Sequence, residues 1–117
     1  MPTTIYHYPT CSTCRKAIAW LKQKDIVHTQ VHIVETPPSA SLLKRALESG
    51  IQLRALFNTS GESYRNGNFK ERLPEMTEAE AIAALRADGK LIKRPLLVGK
   101  DFVWVGFDEA KWKQTLG

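Results

Sequence analysis

The first apolar signal is short. Thr4-Ile5-Tyr6-His7-Tyr8 has the composition and length of a strand, and Pro9 ends it. From Cys14 the spacing changes. Ala17, Ile18 and Leu21 recur at helical intervals and predict a helix that fades after Lys24-Asp25. Residues 27–34 then set Val27, Val31 and Ile33 among polar neighbours, which predicts a second strand. Strand, helix and strand in that order form a parallel unit with a crossover helix, the usual opening of an α/β sheet.

Pro37-Pro38 closes this unit. Ser39 is placed to cap a helix with Leu42, Leu43, Ala46 and Leu47 on its apolar side, stopped by Gly50. Residues 52–57 predict a short helical turn. Asn58 to Arg72 is polar and carries Gly61 and Gly67, which predicts irregular chain with short helices at most. Thr77-Glu78-Ala79-Glu80 is a capping box. It opens a helix through Ala79, Ile82, Ala83 and Leu85, with Gly89 as the expected C-cap. Residues 38–91 thus read as a mainly helical insertion.

Sheet pattern resumes after Arg94-Pro95. Leu96-Leu97-Val98 and Phe102-Val103-Trp104-Val105 are expected to pair as an antiparallel hairpin across Gly99-Lys100-Asp101. Asp108 caps a last helix, and Phe107 and Trp112 are placed to form a hydrophobic staple. The order βαβ, helical block, ββα predicts an α/β chain of thioredoxin-like connectivity with a mixed four-stranded sheet. Its core comprises residues 1–37 and 92–117, within a single domain 1–117.

Composition narrows the class. A chain of 117 residues, 43% hydrophobic and 25% charged, is expected to be one soluble globular domain. No apolar run nears the roughly 20 residues of a membrane span. The N-terminus lacks a basic region followed by an apolar one, so the expected location is cytoplasmic. Asn58-Thr59-Ser60 fits a glycosylation sequon, which carries no weight without secretion. The net charge of +5 suits anionic substrates, yet no run of Lys or Arg exceeds two residues. That dispersion argues against direct nucleic-acid binding. The chain is expected to be a monomer.

The chemistry gathers at Cys11-Ser12-Thr13-Cys14, between the first strand and the first helix. Both sulfurs fall at or near a helix N-terminus, where free N–H groups and the helix dipole favour negative charge. A free thiol ionises near pH ~8.5, and such a site lowers that value. Cys11 is the candidate nucleophile. Cys14, one turn on, is a candidate resolving thiol that would release a Cys11 adduct as an intramolecular disulfide. It also shares the stripe of Ala17, Ile18 and Leu21, so a plain core cysteine is the competing reading. Cys11-x2-Cys14 with His28-x3-His32 meets a zinc-finger spacing. The periodicities reject it, because helix follows the cysteines and alternation surrounds the histidines.

Five segments resemble the arsenate reductase-like (ArsC/Spx/MgsR) thioredoxin-fold family, in its short CxxC-containing branch. They are residues 8–17, from Tyr8 to Ala17; Leu56 to Gly61; Lys70 to Met76; Leu91 to Pro95; and Val105 to Glu109. The resemblance implies a thiol-dependent oxidoreductase that reduces an oxyanion such as arsenate, or a disulfide, through Cys11. It implies that His7 lies near the thiol, that Arg94 is an active-site arginine, and that Arg15 is the basic residue after the Cys loop. It also implies that Pro95 is the cis proline of the fold. The family's oxyanion-binding arginine has no counterpart in Val105-Gly106-Phe107, and Arg54 is the candidate for another. No bound cofactor or metal is implied. The electrons would come from an external thiol, glutathione with glutaredoxin, or thioredoxin. The alternative within the same resemblance is an Spx-like redox-sensing regulator that binds RNA polymerase.

Overall fold

The computed structural model describes residues 3–116. In chain order they form β1 (Thr3–His7), α1 (Ser12–Gln23), β2 (His28–His32), α2 (Ala40–Glu48), α3 (Glu62–Asn66), α4 (Phe69–Arg72), α5 (Glu78–Ala87), β3 (Leu96–Val98), β4 (Val103–Val105) and α6 (Glu109–Leu116). Short 3-10 turns at Leu53–Leu56, Leu73–Glu75 and Gly89–Leu91 join some of these. Two compact units result. One runs to His32 and resumes at Arg94, and the other is Ile33–Lys93.

The first unit holds the whole sheet. β1 pairs in parallel with β2, setting Thr3 opposite His28 and His7 opposite His32. On its other side β1 runs antiparallel to β3, and β3 antiparallel to β4. The order is β2-β1-β3-β4, the mixed sheet of a thioredoxin-like fold. The register aligns Ile5, Leu97 and Trp104 in one row across three strands. That row packs with Ala17, Trp20 and Leu21 of α1 and Trp112 of α6 into a single buried cluster. The amphipathic spacing of α1 thus has its physical destination in this row.

The helix ends follow local chemistry. Asp108 accepts the Lys111 N–H at 3.2 Å, and the Phe107 and Trp112 rings meet edge to face at 4.7 Å. The expected cap and staple both form.

In the second unit, Ser39 caps α2 by accepting the Leu42 N–H at 3.1 Å, and Gly50 follows the helix at φ +108°. At α5, Thr77 and Glu80 exchange hydrogen bonds of 2.8 and 3.1 Å, so the capping box is complete. Phe57 bridges Ile92, and the rings of Phe57, Tyr64 and Phe69 pack together beside them.

Three expectations shift. The second strand is only His28–His32, and Val27 before it is 84% exposed rather than inward-facing. β2 is an edge strand with no fully buried residue, so its alternation does not mark a core face. Phe102 lies in the hairpin turn, where its carbonyl accepts the Gly99 N–H at 2.9 Å. Gly89 is not a left-handed C-cap. Asp88 caps α5 with extended backbone, and Gly89 is required for another reason. A Cβ there would collide with the Ile33 carbonyl oxygen and come within 2.7 Å of Val34 Cα.

Candidate active site

The Cys loop is built by backbone bonds. The Cys11 N–H donates to the Tyr8 carbonyl at 3.0 Å, closing the turn after β1. The Arg15 N–H donates to the Cys11 carbonyl at 3.1 Å, the first bond of α1. Cys11 is therefore the N-cap, with φ −79° and ψ 114°. Its Sγ accepts the Cys14 N–H at 3.3 Å. Ser, Thr, Asp or Asn usually fills this role with an oxygen. A sulfur here receives a helix-terminal N–H, and no acidic residue in the first turn opposes a negative charge.

The two thiols are pushed in opposite directions. Partial burial alone would raise Cys11. The Cys14 thiol and N–H and then the Arg94 guanidinium outweigh it, by hydrogen bonds and by charge, and Cys11 lies below the ordinary thiol value. Cys14 is fully buried. Burial first, and then its bond to the Cys11 sulfur, push it up to about 12. The pair is thus unequal: Cys14 is the thiol that holds its proton, and its hydrogen bond to the Cys11 sulfur favours ionisation at Cys11.

Arg94 precedes a cis peptide bond to Pro95, whose carbonyl accepts the Gly106 N–H at 2.8 Å. The guanidinium carbon lies 5.0 Å from the centre of the Tyr8 ring. Cys11, Cys14 and Arg94 are brought together, and Tyr8, to which the sequence assigns no role beyond ending a strand and opening the family-like segment 8–17, lies beside Arg94. His7 instead faces His32, with ring centres 6.4 Å apart. Burial first, then the His32 charge, lowers its pKa. The groups that set the Cys11 thiol do not include it. Arg15 is exposed on α1. Arg54 is exposed in the second unit, where it lines a hollow of about 400 Å³ with Leu53, Tyr64, Lys70, Leu73 and Pro74.

His28 and His32 lie on β2, and the His28 ring bonds the Ile26 carbonyl at 2.8 Å. Among the described residues no group of three or more His, Cys, Asp or Glu is arranged to hold a metal ion. No described helix is long and apolar enough to cross a membrane.

Fold and site together define a thioredoxin-like protein with an unequal cysteine pair at the head of its first helix. Comparison with known proteins makes this specific. Residues 6–115 match the ArsC family, and the chain belongs to it. It is 46% identical to YusI of Bacillus subtilis (strain 168) over 116 residues, covering 98% of each chain. It is 34% identical to an arsenate reductase of Escherichia coli over 96 residues, covering 81% of this chain and 67% of that one. Among solved structures, an ArsC family related protein from Bacteroides fragilis superposes with a TM-score of 0.91 at 43% identity, covering 97% of both chains.

Proposed function

We propose that this chain is a thiol-dependent reductase acting through Cys11, and that a disulfide is the substrate its site suits best. The carrying observation is the unequal pair: a partly exposed, helix-capping sulfur with a lowered pKa, backed by a buried thiol that holds its proton. The kinship to an arsenate reductase supports the reductase class. The lack of a counterpart to the family's oxyanion-binding arginine in Val105-Gly106-Phe107 favours a disulfide over an oxyanion such as arsenate, and the second cysteine lets the exchange finish within the chain.

The Cys11 thiolate attacks one sulfur of the substrate. The substrate S–S bond breaks, its other half leaves as a thiolate, and a mixed disulfide remains on Cys11. Cys11 is then neutral, so burial still raises Cys14 but the charge and hydrogen bond of Cys11 no longer add to it, and Cys14 gives up its proton more readily. Cys14 gives its proton to the departing thiolate and attacks the Cys11 sulfur. The second half of the substrate leaves as a thiolate, and a Cys11–Cys14 disulfide forms. An external thiol donor, glutaredoxin with glutathione or thioredoxin, returns two electrons and restores both thiols. Arg94 stabilises the thiolate form of Cys11. Arg15 and His7 border the loop on α1 and β1 and are proposed to meet substrate, with Pro95 framing the loop. A reducing cytoplasm suits this cycle.

The test is turnover coupled to NADPH through each donor system, with a glutathione mixed disulfide and with arsenate as substrates. Disulfide turnover is expected, falling to background in Cys11→Ser, while Cys14→Ser accumulates a mixed disulfide visible by mass spectrometry. Turnover of arsenate alone would reverse the substrate preference. Absence of turnover, together with stoichiometric and oxidation-dependent capture of RNA polymerase, would replace the enzyme with a redox-sensing regulator.

A further inference from the structure

We propose that Tyr8 is a positioning residue for the reaction: its ring seats the Arg94 guanidinium against the Cys11 sulfur, while its backbone holds the Cys loop. The inference rests on the thiolate reading above and adds a residue to it.

Three contacts converge on this one side chain and its peptide. The Tyr8 carbonyl accepts the Cys11 N–H at 3.0 Å, which fixes where the capping sulfur begins its helix. The same stretch of backbone lies within hydrogen-bonding reach of the Cys14 thiol. The ring carries the Arg94 guanidinium at 5.0 Å, inside the roughly 6 Å over which a cation is held by an aromatic face. The ring is itself held. His32, on the neighbouring strand β2, meets it edge to face at 5.4 Å. The Nε of Arg94 is buried, so the guanidinium enters the site from a packed stem rather than from a mobile surface chain.

An arginine has several rotatable bonds, and its charge acts on a sulfur only where its head is placed. The groups facing Cys11 are the Cys14 thiol and N–H and the Arg94 guanidinium. Those facing the Tyr8 ring are Arg94 and His32. Removing the ring removes the stacked platform without removing any group that touches the sulfur directly. Removing only its hydroxyl leaves the platform in place.

The readout is the pH dependence of Cys11 capture by iodoacetamide on the full chain, with the site of modification confirmed by mass spectrometry. Tyr8→Leu is expected to move the midpoint up by about half a unit to one unit, or roughly three- to tenfold less thiolate on the acid side, the size of a cation–aromatic contact. Tyr8→Phe should restore the low midpoint. In an Arg94→Leu background, Tyr8→Leu should add no further shift. This last comparison keeps the idea falsifiable even if Tyr8→Leu loosens the loop, because a loosened loop shifts the midpoint with or without Arg94. Equal midpoints in wild type and Tyr8→Leu would overturn the role of Tyr8 alone. So would an undiminished Tyr8→Leu shift without Arg94. A wild-type midpoint near that of a free thiol would overturn the thiolate reading beneath it.

Discussion

Cys11 and Cys14 carry the same functional group three positions apart, and only their surroundings distinguish them. Replacing Cys14 with Ala removes the S–H donor but leaves the backbone N–H in place. The Cys11 midpoint is expected to rise by about half a unit to one unit, stopping short of a free thiol, as read by alkylation against pH. Cys14 makes a second prediction, with the opposite sign. Its folded pKa is raised, so above the ordinary thiol range the folded chain retains a proton that the unfolded chain releases. Stability should therefore fall as pH rises from that range toward about 12. Urea midpoints measured across this window should decline less steeply in Cys14→Ala than in wild type. The cysteine motif was legible in the sequence because the reason for it is local: a cap position and one helical turn. Tyr8 was not. Nothing in the periodicity says which of 17 basic residues will fold back onto a given ring, and only the family resemblance singled out Arg94.

At the scale of elements, the ends of helices were the most readable features, since capping joins residues a few positions apart. Asp108→Ala should cost about 0.5–2 kcal/mol by denaturant unfolding, because it frees the Lys111 N–H at the head of α6. The neighbouring staple of Phe107 on Trp112 would remain. What could not be read from the pattern was set by distant chain. β2 is shorter than its pattern suggests because an edge strand, with one neighbour and no buried residue, does not enforce the alternation that marks an inward face. Gly89 differs from its local pattern for a similar reason. A helix followed by glycine suggests a left-handed cap, whereas the demand on Gly89 comes from the backbone at Ile33 and Val34, far back in the sequence. Gly89→Ala is accordingly expected to destabilise the fold through displaced backbone, with a lowered thermal midpoint as the measure.

At the scale of the molecule, the first unit gathers its strength around Trp112. This ring lies 5.9 Å from Trp20, 6.0 Å from Trp104 and 4.7 Å from Phe107, and it is 1% exposed. Trp112→Ala should cost about 3–5 kcal/mol in urea unfolding, the range for truncating a large buried aromatic. The contrast between the sulfurs has a further consequence for the protein under oxidative attack. Peroxide meets one sulfur at the surface and finds the other enclosed. A sulfenic acid formed on Cys11 would be captured from within as a disulfide before it climbed to the irreversible sulfinic state. Cys14→Ser, exposed to the same peroxide, should accumulate the Cys11 sulfinic acid by mass spectrometry where wild type does not, the result expected if the hidden thiol guards the exposed one.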